Sequence, residues 1–510
     1  MTTAADLRQR GDAAFRAGRL GEAIALLRQA SARDPADPRT QAVLGQALIR
    51  GGLLHEGCAI LATGAAALLA ASADFAPVLA LAALLQQSGD PARALPLAEA
   101  VLARRPDDGQ ALALVATTCA QLGHGARARE AVARACRLSP ADPALSVLAA
   151  SIASDFGNPA LARESLAALL AGPLPPREAY RASKELARAA DRLGDWPAVF
   201  PALEQSARFA AHLPEAAALD PGRIARILAA DSAALDPAML RRWRDDGPAD
   251  AATTPVFITG FLRSGTTLLQ EVFGAHPGTC VADEAPLIAL LAAEFERRFP
   301  GADSRVARLD RLAPADRAAL RAYYRAAAAA RLGPEAATRR VVDKFALNVI
   351  DLPLILRLFP ESAVLFMVRD PRDACLSALL QVMVLTPATL NLVEPAGAAA
   401  FHALICGHWR QWRDAAAGAP LAEVRYESLV SDFEPTVRAA LAVTGIDWHP
   451  AMPAFHKGAS GRYIASPSRL QVAQPLGNSA VGRWRHHAAD FAPLMPHLAP
   501  SLEAWDYPEA

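Results

Sequence analysis

Two hydrophobic patterns share this chain. Over roughly the first 215 residues, small residues recur at long period. Gly18, Gly52, Gly89, Gly123, Gly157 and Gly194 are separated by 34, 37, 34, 34 and 37 residues. Five positions after four of these glycines stands alanine (Ala23, Ala94, Ala128, Ala162). Gly57 and Val199 hold that place in the second and sixth units, which read as degenerate. Pro35, Pro106 and Pro140 close units. Glycine lets the chain turn between two helices, alanine lets the second helix pack closely on the first, and proline ends the pair. The pattern predicts stacked helix hairpins. From about Asp236 to Thr254 the repeat is lost, and residues 241–250 read as a terminal helix running into a polar linker. Beyond it come short apolar runs that open into loops and then helices. Thr254–Gly260, Ser362–Arg369 and Glu423–Tyr426 read as strands, as do Arg340–Lys344 and a short run before Glu284. Apolar strands alternating with helices imply a mainly parallel sheet covered on both faces, with ligands bound beyond the strands' carboxyl ends. The predicted organisation is multidomain: an all-α region over 1–220, a terminal helix and linker over 221–253, and an α/β domain over 254–510.

Composition narrows the partners. At 510 residues the chain is too long for one ordinary domain, and 53% apolar content argues against disorder. Lysine plus arginine (52) balances aspartate plus glutamate (52), so no global field points to nucleic acid or a membrane surface. Any anion site must be built locally. The six cysteines lie far apart without a C-x-x-C pair and read as small buried hydrophobes rather than a disulfide or zinc framework. The polar start and the alanine-rich character of the longest apolar run, Cys58 to Ala73, lead us to expect a cytoplasmic protein without a signal peptide or membrane span.

The period near 34, with its glycines and alanines, resembles the tetratricopeptide repeat over roughly residues 5–215. That resemblance implies a solenoid with a concave groove able to take a protein or peptide partner.

In the second half, the first strand runs directly into Gly260-Phe-Leu-Arg-Ser-Gly-Thr-Thr, the geometry of a phosphate cradle at a helix N-terminus. The two glycines have Walker A spacing, yet Thr266 stands where that motif requires lysine. The cation is Arg263, inside the loop, which suits a single tetrahedral anion better than metal-bridged phosphates. The strand, loop and helix resemble the 5′-phosphosulfate segment of the sulfotransferase family. The resemblance implies that Arg263, Ser264, Gly265, Thr266 and Thr267 hold the reactive end of 3′-phosphoadenosine 5′-phosphosulfate, the donor cosubstrate, on a P-loop-like α/β fold with no metal. A second segment, Met367-Val-Arg-Asp-Pro-Arg-Asp-Ala-Cys-Leu-Ser, ends a strand and starts a helix at Pro371. Arg369 and Ser377, eight residues apart, have the spacing of the family's 3′-phosphate-binding pair. A third stretch, Leu470 to Trp484, resembles the segment before the closing helix of repeat-bearing and tyrosylprotein sulfotransferases, with Ser468 and Arg483 in the nucleotide-contacting places. Tyr426, at the end of a family-like strand, is either beneath the nucleotide or a buried structural tyrosine.

Sulfuryl transfer needs alignment, neutralisation of charge on the bridging oxygen and a base for the acceptor hydroxyl. By resemblance to tyrosylprotein sulfotransferases the base is Glu284. Asp283 competes, and both acids could instead cap a helix opening at Pro286. The same resemblance implies that Lys344 stabilises charge on the leaving phosphate, unless it is simply an exposed lysine at a strand end, and Arg263 is a further candidate for that role. His276, His402 and His408 are available as alternative bases, but none stands in the family's histidine context. Two other readings remain open: a P-loop kinase or NTPase, and a catalytically inactive interaction scaffold. The acceptor carries a hydroxyl, on a peptide tyrosine, a glycan, a lipid or a small alcohol.

Overall fold

A computed structural model describes residues 2–246, 254–459, 463–464 and 469–508. Its contacts divide the chain into two compact units. One comprises Met1–Asn158, Ala327–Glu335 and Gly461–Ala465; the other comprises Pro159–Ala326, Ala336–Ser460 and Ser466–Ala510.

The first unit is built of helix hairpins such as Ala4–Arg16 with Leu20–Arg33, Pro38–Arg50 with Leu54–Ala71, and Gly109–Gln121 with Gly125–Leu138. The repeat glycines of this unit turn the chain in the left-handed region, with φ from 75° at Gly18 to 106° at Gly157. That conformation is easy only for glycine. Ala23, Ala94 and Ala128 are fully buried. New hairpins begin at Asp37-Pro and Asp142-Pro, and Asp90-Pro opens the second helix of its hairpin just after Gly89; all three aspartates accept backbone N–H bonds as caps, with proline in the first turn.

The second repeat departs from the expected degeneracy in an instructive way. A Cβ on Gly57 would stand 2.9 Å from the Ile49 nitrogen, on Gly45 2.7 Å from the Leu61 backbone, and on Gly64 2.7 Å from the Ala42 nitrogen. Here the two helices approach more closely than alanine permits, so glycine replaces it for a packing reason. The helix Leu54–Ala71 is, among the described residues, the one long and apolar enough to cross a membrane by length and composition.

The second unit contains a five-stranded sheet: β1 (Val256–Gly260), β2 (Thr279–Asp283), β3 (Arg340–Lys344), β4 (Val364–Val368) and β5 (Leu421–Arg425). The order is β2-β3-β1-β4-β5 and every pairing is parallel. β1 and β4 are buried along their whole length, as central strands covered on both faces must be. Phe366 stacks on Trp409 of the long helix Pro395–Ala415 at 4.5 Å. The helices from Pro159 to Asp245 belong to this unit. Two of them occupy the stretch before β1, Arg223–Ala233 and Pro237–Asp245. They dock through Trp243, whose indole N–H donates to Asp310 at 2.8 Å, and through the ion pair of Asp231 with Arg305.

Candidate active site

Because the strands are all parallel, five carboxyl ends open on one edge of the sheet. The Gly260 loop leaves β1, Glu284 follows β2, Lys344 ends β3, Arg369 follows β4 and Tyr426 follows β5. The strand order sorts these residues. Glu284 and Lys344 lie on the β3 side of the loop, and Arg369 and Tyr426 lie on the β4 side.

The loop is shaped by two close approaches. Gly260 has φ 156° and a Cβ there would meet the Met367 carbonyl at 2.9 Å. Gly265 has φ 105°, and its Cβ would meet the Tyr426 ring at 2.6 Å. Ser264 is buried and donates to the Phe261 carbonyl at 2.7 Å, so its hydroxyl closes the turn of the loop itself. Arg263 adopts φ 66°, a strain of the order of 1 kcal/mol. Thr266 and Thr267 are buried at the start of the helix Thr266–Gly274, whose N-terminus faces the loop.

The two sequence segments meet through Arg263. Its Nε donates to Ser377 Oγ at 3.1 Å, and Arg369 Nη1 donates to the Arg263 carbonyl at 2.8 Å. Arg369 also donates to the Ala480 carbonyl at 2.5 Å and lies 4.8 Å over the Tyr426 ring. Half-buried Tyr426 is therefore a platform under one guanidinium and a wall for the loop. Burial raises its hydroxyl pKa. Arg483 pairs with buried Asp191. Burial first, and then the fields of Arg369, Arg188 and Arg483, pull the Arg263 guanidinium down to about 9. Like charges brought together in this way make a site suited to an anion. Ser468 lies outside the described residues.

On the β3 side, Lys344 is fully buried. Its Nζ donates to Glu284 Oε1 at 2.6 Å and stands 3.1 Å from Asp283 Oδ1. Burial alone would lower the ammonium's pKa, but the two carboxylates outweigh it and hold it above its ordinary range. Glu284 takes φ 48°, and its backbone N–H donates to the Lys344 carbonyl at 3.0 Å. The helix that follows, Leu287–Arg298, has Pro286 as its N-cap and no side-chain cap bond. The acid thus turns toward the sheet edge and does not serve that helix. One residue earlier in β3, Asp343 points into the core, accepting from Tyr324 (2.9 Å) and Asn348 (3.1 Å), and burial raises it to about 7. It is a structural acid.

Residues 255–450 match the model of the Sulfotransferase family, and residues 8–77 and 79–143 match that of the tetratricopeptide repeat. Residues 255–450 form a sulfotransferase-family domain. Among curated relatives, an uncharacterized protein of Aquifex aeolicus (strain VF5) is 24% identical over 274 residues, 52% of this chain and 34% of that protein. Protein-tyrosine sulfotransferase 2 of Gallus gallus is 27% identical over 262 residues, 49% of this chain and 69% of the relative. The chain therefore spans about a third of the first relative and about two thirds of the second. Among solved structures, the sulfotransferase domain of the Synechococcus PCC 7002 olefin synthase is 20% identical, with TM-score 0.36, covering 51% of this chain and 98% of that one.

Of the histidines available as alternative bases, His402 lies against the loop, its ring 4.7 Å from that of Phe261 and its Nε2 3.5 Å from Cys406 Sγ. His402 and His408 are buried on the long helix, and burial lowers both to about 3. His276 precedes β2, at the amino end of the sheet, and its ring accepts from the Gly278 N–H at 3.0 Å. Other residues shape the site without having been singled out in the sequence. Asp373 accepts from the backbone N–H groups of Gly482 (2.6 Å) and Trp484 (2.9 Å), which fastens the segment bearing Arg483. Glu427 accepts from the Asp370 N–H at 3.0 Å, and Gln471 accepts from Arg263 Nη2 at 3.4 Å. The signal for Asp373 lay in the R-D-P-R-D run; nothing in sequence marked the other two.

Proposed function

We propose that the sulfotransferase domain transfers a sulfuryl group from 3′-phosphoadenosine 5′-phosphosulfate to an acceptor hydroxyl, with Glu284 as general base. The observation that carries this reading is the split of the sheet edge. A cluster of guanidiniums around Arg263, Arg369 and Ser377 lies on one side of the loop, and the Glu284–Lys344 pair on the other. A donor with two anionic ends suits that division. Arg369 and Ser377 take the 3′-phosphate, while the loop N–H groups, Arg263 and the helix N-terminus take the 5′ end. Glu284, held in place by the Lys344 ammonium, accepts the proton of the acceptor hydroxyl as its oxygen attacks sulfur. Lys344, shared between two carboxylates, answers negative charge growing on the leaving phosphate oxygen.

A peptide or protein tyrosine is the acceptor class we favour. What supports it is the 27% identity to a chicken protein-tyrosine sulfotransferase over 49% of the chain, together with repeats of a kind that commonly bind extended peptides.

Calorimetry with 3′-phosphoadenosine 5′-phosphate, with ATP·Mg²⁺ as control, tests the donor. Binding of the bisphosphate without an ATP signal is expected, and preference for ATP would overturn the reading. Panels of tyrosine peptides and glycans test the acceptor, and turnover on glycans alone would refute the peptide assignment.

A further inference from the structure

We propose that Arg188, on the helix Pro176–Leu193 upstream of the family match, is a donor-binding residue that grips the 3′-phosphate beside Arg369 and Ser377. The inference rests on the donor assignment above. It adds a contact from a helix that lies outside residues 255–450, within the same compact unit.

The argument starts from helical spacing. Lys184, Arg188 and Asp191 are four and three residues apart, so they form one stripe on one face of the helix. The two outer members of the stripe are anchored, and both anchors lie at the site. Buried Lys184 donates to the carbonyl of Leu379, the last residue of the helix Pro371–Leu379 and two residues beyond Ser377. Asp191 pairs with Arg483, whose segment is fastened to the same helix through Asp373. Arg188 therefore projects between these anchors, on the side where Ser377 meets Arg263. The field of Arg188 at Arg263 has the same sense, since it helps lower that guanidinium.

The side chain is prepared for the task. Arg188 is mostly buried, with 16% of its side chain exposed, and Nη1 donates to both oxygens of buried Glu185 at 2.8 and 2.7 Å. That pairing fixes the plane of the guanidinium, and a guanidinium has five donors arranged to fit a tetrahedral oxyanion. Carboxylates at the cluster include Glu185, Asp191, Asp373, Asp370 and Glu427, and each is already engaged by a guanidinium, a hydroxyl or backbone N–H groups. Four arginines (Arg188, Arg263, Arg369 and Arg483) are gathered beside them. The 3′ end is favoured over the 5′ end because the stripe docks on the helix that carries Ser377 and not on the β3 side of the loop.

The test compares adenosine 3′,5′-bisphosphate with adenosine 5′-monophosphate by calorimetry on the full chain, as wild type and as Arg188→Ala. The wild type should prefer the bisphosphate. The variant should lose about tenfold or more of that affinity, as expected for a charge-assisted bond to phosphate, while its affinity for the monophosphate stays unchanged. Arg188→Gln keeps the aliphatic stem and a polar end while removing the charge, and should show the same selective loss if the alanine variant folds poorly. Undiminished bisphosphate preference in either folded variant would overturn the inference while leaving the donor assignment standing. A wild-type chain blind to both nucleotides would overturn the donor assignment, and this inference with it.

Discussion

The repeat unit and the sulfotransferase unit treat charge differently. Among the described residues, every buried charged side chain belongs to the second unit, including Lys184, Asp231, Asp343, Lys344, Arg369 and Arg372. Ion pairs of the first unit are surface pairs, such as Arg28 with Glu56 at 2.6 Å, with side chains 50% and 42% exposed. Burying a charge costs several kcal/mol unless it is paired and hydrogen-bonded. A fold therefore keeps buried charge where geometry must be fixed in low dielectric, and a repeat array that only needs to stack has no such need. The difference concentrates buried charge in the unit that carries the sulfotransferase-family domain.

The sharpest test of that contrast is Glu284→Gln. Glutamine keeps the size of the side chain and can still accept from Lys344, but it cannot take a proton. Turnover should fall on the order of 10² to 10⁴-fold, with bisphosphate affinity unchanged. A variant with normal turnover would move the base elsewhere.

Next comes a buried pair remote from the chemistry. Arg305, 13% exposed, binds both Asp231 and Asp351. Arg305→Ala leaves two desolvated carboxylates unpaired and should cost about 3–5 kcal/mol. All seven tryptophans, from Trp196 to Trp505, lie in the second unit. Their fluorescence therefore reports that unit's unfolding in urea, and an unshifted fluorescence transition would contradict the contrast.

A third test uses pH. Burial lowers the Lys184 ammonium from 10.5 to about 7. Between those values the unfolded chain carries a proton that the folded one has shed, so rising pH favours the folded state. The stability of the wild type relative to Lys184→Met should grow as pH rises from 7 toward 10. A pH-independent difference would mean that Lys184 stays charged in the fold.

Much of this was legible in sequence because backbone demands leave marks on single residues. The six spaced glycines all take positive φ, and the four spaced alanines are fully buried. Apolar runs found the strands, since a strand covered on both faces has no polar alternation to hide in. Gly57 misled, because spacing reports that a small residue is wanted but not how closely the helices approach. Meetings of side chains were not legible. Lys344 reaches Glu284 across 60 residues and Arg263 reaches Ser377 across 114, brought together only by the order β2-β3-β1-β4-β5. The turn of Glu284 into the left-handed region, away from capping the next helix, likewise depends on its backbone bond to β3.

The smallest effect closes the comparison from the other side. Arg28→Ala removes the exposed partner of Glu56 in the repeat unit. Such a pair gains little Coulomb energy in water and loses side-chain entropy in forming, so the cost should be under about 1 kcal/mol and should shrink with added salt. With no tryptophan in its unit, the change should move the helical signal in circular dichroism slightly and leave fluorescence untouched. If Arg28→Ala destabilised the chain as much as Arg305→Ala, surface pairs would be holding the repeats together, and charge would no longer separate the two units. If it costs nothing measurable, the repeats are held by their alanine and leucine packing, with Leu27, Leu48 and Leu61 fully buried, and their charged residues remain available for a partner.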